Sequence, residues 1–317
     1  MRVTVAETAG FCYGVSRAVE MAEKAGGEGL PCVMLGPVIH NQMVIQRLAD
    51  MGVGLVQTVE EVPEGSLVIL RSHGESKAIH EALSARGARV VDTTCPFVSR
   101  IHTIVCKAQE EGRRVIIIGT PGHPEVSSIA GWWEEPLLFQ NAADLEKYFV
   151  DHSETAECPI TMVSQTTSTQ ETLKKCEETA KKLCTNLKFF DTICNATCAR
   201  QSEAQRLASQ NDAVVVIGGR NSANTKQLFE LCGKVCDNTI WIERAEELSI
   251  AQFEKGARVA ITAGASTPVW IIKEVYDKMS VENMEIEESF AELLEKSIKT
   301  LHTGEKVTGV LNAITPT

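Results

Sequence analysis

Read as a pattern of apolar and polar positions, the chain repeats one unit nine times. Each unit is a short β-branched run, a turn rich in Gly, Ser, Thr and His, and a stretch with the apolar spacing of a helix. The runs fall at 3–5, 32–35, 67–70, 90–92, 115–118, 160–163, 187–190, 213–217 and 259–262. The helical stretches that follow end near 25, 51, 85 and 111, then a short one, then near 184, 209 and 232, with Pro268 placed to open the last. A helix after every strand carries the chain back across the sheet, so the pattern predicts parallel strands. An eight-stranded barrel is the natural rival.

Three interruptions argue against the barrel. After the second, fifth and eighth units the chain inserts an extra short strand and an acidic helical stretch: 53–56 then Val59-Glu60-Glu61, 137–139 then 142–147, and 240–242 then 244–248. The chain therefore reads as three copies of one design. This predicts an α/β protein of three small parallel-sheet domains in a pseudo-threefold trefoil. An N-terminal strand and loop at 1–13 precede domains at 14–95, 96–191 and 192–281, with a tail at 282–317.

Composition narrows the chemistry. The net charge of −11 and an aromatic content of 5% speak against nucleic-acid binding and against an anionic membrane surface. No apolar run approaches the ~20 residues that span a bilayer, and the N-terminus lacks a basic-then-apolar leader. A cytoplasmic protein is expected, where eleven cysteines are not a disulfide framework.

In parallel α/β sheets ligands gather at the carboxyl ends of strands, where every polar turn of this repeat lies. The first unit of each third carries a cysteine there: Cys12, Cys95 and Cys194, separated by 83 and 99 positions. Threefold symmetry would bring the three together, a set suited to a thiolate-held metal centre with one position open. Soft thiolates suit zinc and an iron–sulfur cluster alike. Cys194 and Cys198 share a helix face, and spacing alone does not choose between them; equivalence with the other loops favours Cys194. The other seven cysteines read as structural.

The remaining loops present His40, His73, His123, Glu125, Thr166, Ser222, Asn224 and Ser266, a set of donors at helix starts that suits phosphate. Taken singly, Ser and Asn there are helix caps. Gly218-Gly219 is a fragment of a dinucleotide loop without the full G-x-G-x-x-G pattern. Two rival readings stay open at this level: a hydrolase with Cys95 as nucleophile and a histidine base, and an RNA-associated module.

Several segments resemble a known family over roughly residues 1–281: Gly10-Phe11-Cys12-Tyr13-Gly14-Val15, Val38-Ile39-His40-Asn41, Ser72-His73-Gly74, Asp92-Thr93-Thr94-Cys95-Pro96, Gly122-His123-Pro124-Glu125-Val126, Gln165-Thr166-Thr167 and Thr262-Ala263-Gly264-Ala265-Ser266. The family is the LytB-type 4-hydroxy-3-methylbut-2-enyl diphosphate reductases, iron–sulfur enzymes that end the methylerythritol phosphate route to isoprenoids. The resemblance implies a central [4Fe-4S] cluster, isolable as [3Fe-4S], on Cys12, Cys95 and Cys194. Ile193-Cys194-Asn195-Ala196-Thr197 matches the family's third cysteine motif. It also implies that His40, His73, Ser222, Asn224 and Ser266 hold the diphosphate, that His123 and Thr166 lie nearer the hydroxyl end, and that Glu125 supplies protons. Isopentenyl and dimethylallyl diphosphate would be the products. With no flavin or nicotinamide motif apparent, a ferredoxin or flavodoxin is the expected donor.

Two features depart from the family. Ser222-Ala223-Asn224 stands where Ser-Ser-Asn is common, so Ala223 offers the phosphate only its backbone N–H. In the tail, 288–302 reads as an amphipathic helix and 304–310 resembles the opening strand of an S1-type RNA-binding domain. The expectation is a reductase that precedes S1 domains in a longer fusion, with RNA binding only through the missing S1 part.

Overall fold

Among the described residues, 1–281, the computed structural model contains twelve strands in three four-stranded sheets, and every pairing is parallel. The expected tail helix and S1-like strand lie outside these residues. The strands are β1 (Arg2–Val5), β2 (Cys32–Leu35), β3 (Val53–Val56), β4 (Leu67–Leu70), β5 (Arg89–Asp92), β6 (Arg114–Ile118), β7 (Leu137–Phe139), β8 (Ile160–Ser164), β9 (Leu187–Phe189), β10 (Ala213–Ile217), β11 (Thr239–Ile242) and β12 (Arg258–Ala263). The helices are α1 (Tyr13–Gly26), α2 (Gln42–Asp50), α3 (Lys77–Ala85), α4 (Pro96–Glu110), α5 (Pro124–Ala130), α6 (Ala142–Asp151), α7 (Gln170–Leu183), α8 (Asn195–Gln210), α9 (Ala223–Gly233) and α10 (Val269–Val281). None of these helices is long and apolar enough to cross a membrane.

Written from one edge to the other, the sheets run β3-β2-β4-β5, β7-β6-β8-β9 and β11-β10-β12-β1. The inner strands are continuous apolar runs, such as Leu67–Leu70 and Ala213–Ile217, buried at every position. A strand buried on both faces needs helices on both sides. Accordingly each sheet carries two apolar clusters, one per face: around Met34 and Val68, around Ile116 and Ile117, and around Val215 and Val214.

The three extra strands of the sequence pattern, β3, β7 and β11, occupy the same edge in each sheet. Two of the acidic stretches after them are single 3-10 turns, at Val59–Glu61 and Ala245–Glu247, while the middle one is the full helix α6. The grouping of units differs by one step from the repeat count, although the expected bounds of 14–95 and 96–191 already set the runs at 90–92 and 187–190 last in their domains. Each third was expected to begin with its cysteine-bearing unit. In the structure that unit closes the sheet built by the units before it, and β1 crosses to the far end of the chain, with Arg2 beside Arg258 and Val5 beside Ile261. The reason is edge satisfaction: β12 would otherwise leave a row of backbone groups unpaired, and β1 is the strand that fills it.

This places β1, β5 and β9 at equivalent edges. The cysteine after each one donates its amide to the loop after the neighbouring strand: Cys12 N to Ala265 O at 3.3 Å, Cys95 N to Ser72 O at 3.0 Å and Cys194 N to Thr166 O at 3.0 Å. Three matching bonds at three matching edges make the pseudo-threefold relation concrete, and they point the cysteine loops toward one centre.

Candidate active site

The twelve residues singled out above all line one cavity: the three cysteines, His40, His73, His123, Glu125, Thr166, Ser222, Ala223, Asn224 and Ser266. Cys198 does not. It accepts from Gln170 Nε2 at 3.4 Å and packs against the apolar cluster of α6, α7 and β8. None of the other seven cysteines reaches the cavity either.

Cys12, Cys95 and Cys194 are the N-cap residues of α1, α4 and α8, each with extended backbone and no side-chain capping bond. Pro96 at the first helical position sets the turn after Cys95. A helix start favours a thiolate. Burial works the other way: it pushes the Cys95 thiol up to about 11 and raises that of Cys194, and the neighbouring cysteine charges add to the rise. Close packing leaves the sulfurs room. A Cβ added to Gly14 would come within 2.5 Å of the Cys95 Sγ. Three sulfurs from equivalent strand ends, facing one cavity, fit a centre that takes three thiolates and releases their protons on binding.

The imidazoles form a second group, with ring centroids 4.6 Å apart for His40 and His73, 5.6 Å for His73 and His123, and 6.1 Å for His40 and His123. Burial lowers the pKa of all three. Arg71 adds to it at His40, His40 at His123 (drawn down to about 4), and His40, His123 and Arg71 at His73. They are therefore neutral at pH 7. Their ring nitrogens lie close enough together to suggest a metal site. The local bonding opposes it: His123 Nδ1 accepts from the amide of Glu125 at 3.1 Å, which leaves the ring proton on Nε2. His123 thus faces the cavity as a donor.

Glu125 opens α5 after β6, yet its carboxyl bonds to the loop that follows the neighbouring strand β8. Thr166 donates its amide to Oε1 at 2.6 Å and its hydroxyl to Oε2 at 2.8 Å. Burial raises the Glu125 pKa to about 7 against the pull of both Thr166 bonds. A carboxylic acid half protonated near neutrality is suited to giving up a proton.

The opposite end of the cavity is built from α9 and the loops around it. Ser222 caps α9, its Oγ accepting from Thr225 N at 3.3 Å, so its own proton remains to donate. Ser266 Oγ donates to His40 O at 3.3 Å. His40 Nε2, His73 Nδ1 and Asn224 Nδ2 are enclosed and have no partner among the described residues. Buried polar atoms are normally satisfied, so three orphans around one cavity mark where a polar ligand sits. Behind the histidines Arg71 pairs with buried Glu75 and keeps the local potential positive.

The sequence reading passed over Arg200 and Phe97, which also line the cavity beside Ser72, Thr167 and Thr197 of the motifs quoted above. Arg200 had a signal. The buried face of α8 runs Thr197, Arg200, Gln201, Ala204, Leu207, Ala208, and helical spacing carries that face from its aliphatic end straight through Arg200 and Gln201. Burial pulls the Arg200 pKa down to about 10, which leaves it a cation at neutral pH.

Residues 3–280 match the family model described as LytB protein. The chain is similar to the 4-hydroxy-3-methylbut-2-enyl diphosphate reductases of Thermoanaerobacter sp. (strain X514) and Geobacter sulfurreducens, each 40% identical over 283 residues. These alignments cover 88% of this chain and 96% and 97% of theirs. A solved structure of (E)-4-hydroxy-3-methyl-but-2-enyl diphosphate reductase, described as the terminal enzyme of the non-mevalonate pathway, is 37% identical with a TM-score of 0.66. It covers 88% of this chain and 99% of that one. The reductase from Plasmodium falciparum, 24% identical, shares the fold with a TM-score of 0.81 over 88% of this chain and 87% of its own.

Proposed function

The chain belongs to the LytB family, and on that premise we propose how its cavity performs the family's reaction. The enzyme is an oxidoreductase that reduces 4-hydroxy-3-methylbut-2-enyl diphosphate to isopentenyl and dimethylallyl diphosphate in isoprenoid synthesis. Two electrons and two protons replace a C–OH by C–H and release water. One observation carries the assignment of parts: the three cysteine loops, the orphaned donors and the Glu125–Thr166 pair open on the same cavity.

Cys12, Cys95 and Cys194 would hold a [4Fe-4S] cluster. Bound there, it would supply the two electrons of the reduction. His40, His73, Ser222, Asn224 and Ser266, with the backbone N–H of Ala223 at the start of α9, take the diphosphate by charge-assisted hydrogen bonds. His123 Nε2 and Thr166 Oγ1 donate near the hydroxyl. Protonated Glu125 hands its Oε2 proton to Thr166 Oγ1, and Thr166 passes its own hydroxyl proton to the departing oxygen. The electron donor is a ferredoxin or flavodoxin. Phe97, which lines the cavity and is 39% exposed, lies on a path from the surface. A cytoplasmic location suits eleven free cysteines.

Iron and sulfide analysis on protein purified without oxygen, with turnover driven by a reduced viologen, tests this function. A dark protein containing iron, sulfide and activity is expected. A colourless protein holding one zinc would overturn it.

Ser222→Ala, Asn224→Ala and His73→Ala should each raise KM about tenfold or more, the worth of one lost charge-assisted bond, and leave the cluster spectrum unchanged. Ala223→Ser should leave KM equal or lower, and a several-fold rise would mean the loop holds phosphate differently. Proton uptake offers a further check. In the free enzyme the histidines stay neutral because their pKa values are lowered. An anionic diphosphate beside them raises those values, so binding near pH 6 should take up protons. Calorimetry in buffers of different ionisation enthalpy reads this directly, and uptake should be weaker in His73→Ala.

A further inference from the structure

We infer that Arg200 is a positioning residue for the cysteine-held centre, a built-in counter-charge whose guanidinium raises the centre's reduction potential. The inference rests on the reading that Cys12, Cys95 and Cys194 hold an iron–sulfur cluster.

Arg200 lies on α8 six residues beyond Cys194 and is 3% exposed. Its Nη1 donates to Gly10 O at 2.9 Å and to Ala263 O at 2.7 Å. Gly10 belongs to the Cys12 loop and Ala263 ends β12, so one guanidinium joins the first cysteine loop, the third sheet and the helix that starts at Cys194. Its Nε is enclosed without a partner among the described residues. Among the described residues no carboxylate lies within ion-pair range of it. The acid one turn along, Glu203, is occupied by the amides of Glu7 and Thr8, the Thr8 hydroxyl and Arg206.

A cation walled in with only carbonyl partners is an expensive arrangement. It becomes reasonable when an anion shares the enclosure. The charges that act on Arg200 are those of Cys12 first, then Glu203 at longer range, then Cys194. Thiolates carrying a cluster would supply the missing negative charge. Reduction adds one more negative charge to that centre, and a fixed cation in a low-dielectric wall favours it. The bonds to Gly10 and Ala263 hold the cation in place, so the favourable field needs no rearrangement when the electron arrives.

The test is a redox titration followed by electron paramagnetic resonance, on holoenzyme without substrate, for the parent, Arg200→Gln and Arg200→Lys. The expected result is a potential shifted to more negative values in Arg200→Gln and returned close to the parent's in Arg200→Lys. Lysine keeps the charge and loses the two-carbonyl fork, so a role limited to tying loops together predicts the opposite ranking. An unshifted potential in Arg200→Gln would overturn the inference, as would equal shifts in both variants. A raised KM with an unshifted potential would place Arg200 on the diphosphate instead. Should Arg200→Gln hold no iron, Arg200→Lys decides: a loaded cluster near the parent's potential supports the charge role, and an empty site overturns it. A parent that binds no iron and sulfide would defeat the underlying assignment, an outcome read from the metal analysis alone.

Discussion

Glu125→Gln is expected to lower kcat by ~10²–10⁴-fold, the range a positioned general acid contributes, in a protein that keeps its cluster and binds substrate. Glutamine is the neutral stand-in for the protonated side chain. Its Oε1 can still accept from Thr166 N, and its Nε2 can donate to Thr166 Oγ1 as the acid's O–H would. Only the transferable proton is lost. The parent's own pH dependence should show the same group: with a pKa of about 7, the acid form and the rate both fall as pH rises through neutrality. Stability separates chemistry from folding. The folded-state pKa lies above the unfolded value, so the stability it contributes is present at low pH and is lost as pH rises from about 4.5 through 7. Glutamine escapes that loss, and the variant should match or exceed the parent's Tm at pH 8. Turnover within ~10-fold of the parent, below the general-acid range, would move the proton source to His123 or to a water held by Thr166. A simple helix-opening role is already disfavoured, because the carboxyl bonds go to Thr166 and not to the first turn of α5.

Serine in place of Cys12, Cys95 or Cys194 is expected to abolish the cluster and all turnover. A hydroxyl is a hard, weakly acidic ligand for iron, and each cysteine is the sole soft group its sheet sends to the centre. Iron content, visible absorption and activity should fall together in each variant. Cys198→Ser is the control. Its sulfur accepts a bond from Gln170 and meets aliphatic side chains away from the cavity, so iron content and rate should stay at the parent's level. An iron-bearing Cys194→Ser beside an iron-free Cys198→Ser would show that the other member of the pair is the ligand.

Much of this protein is local and therefore legible along the chain. Strand runs, polar turns and helix starts depend on neighbours within a few residues, which is why the nine units, the extra strands and every loop that lines the cavity could be placed from periodicity and turn chemistry alone. Helix starts also put Cys12, Cys95 and Cys194 at strand ends without any knowledge of packing. Which edges meet is another matter. The pairing of β1 with β12 joins residues 256 positions apart, and nothing in either run names its partner. The strand closes whichever edge remains unpaired once the helices have covered both faces. That closure shifts each cysteine unit into the sheet before it. It also walls in Arg200 against Gly10 and Ala263, while the pairing of β6 with β8 brings Thr166 onto Glu125. The sequence by itself determined most of the residues that would line a site; the pKa of Glu125 and the enclosure of Arg200 were decided by the tertiary structure, because burial and long-range hydrogen bonds exist only after the three sheets have closed around one centre.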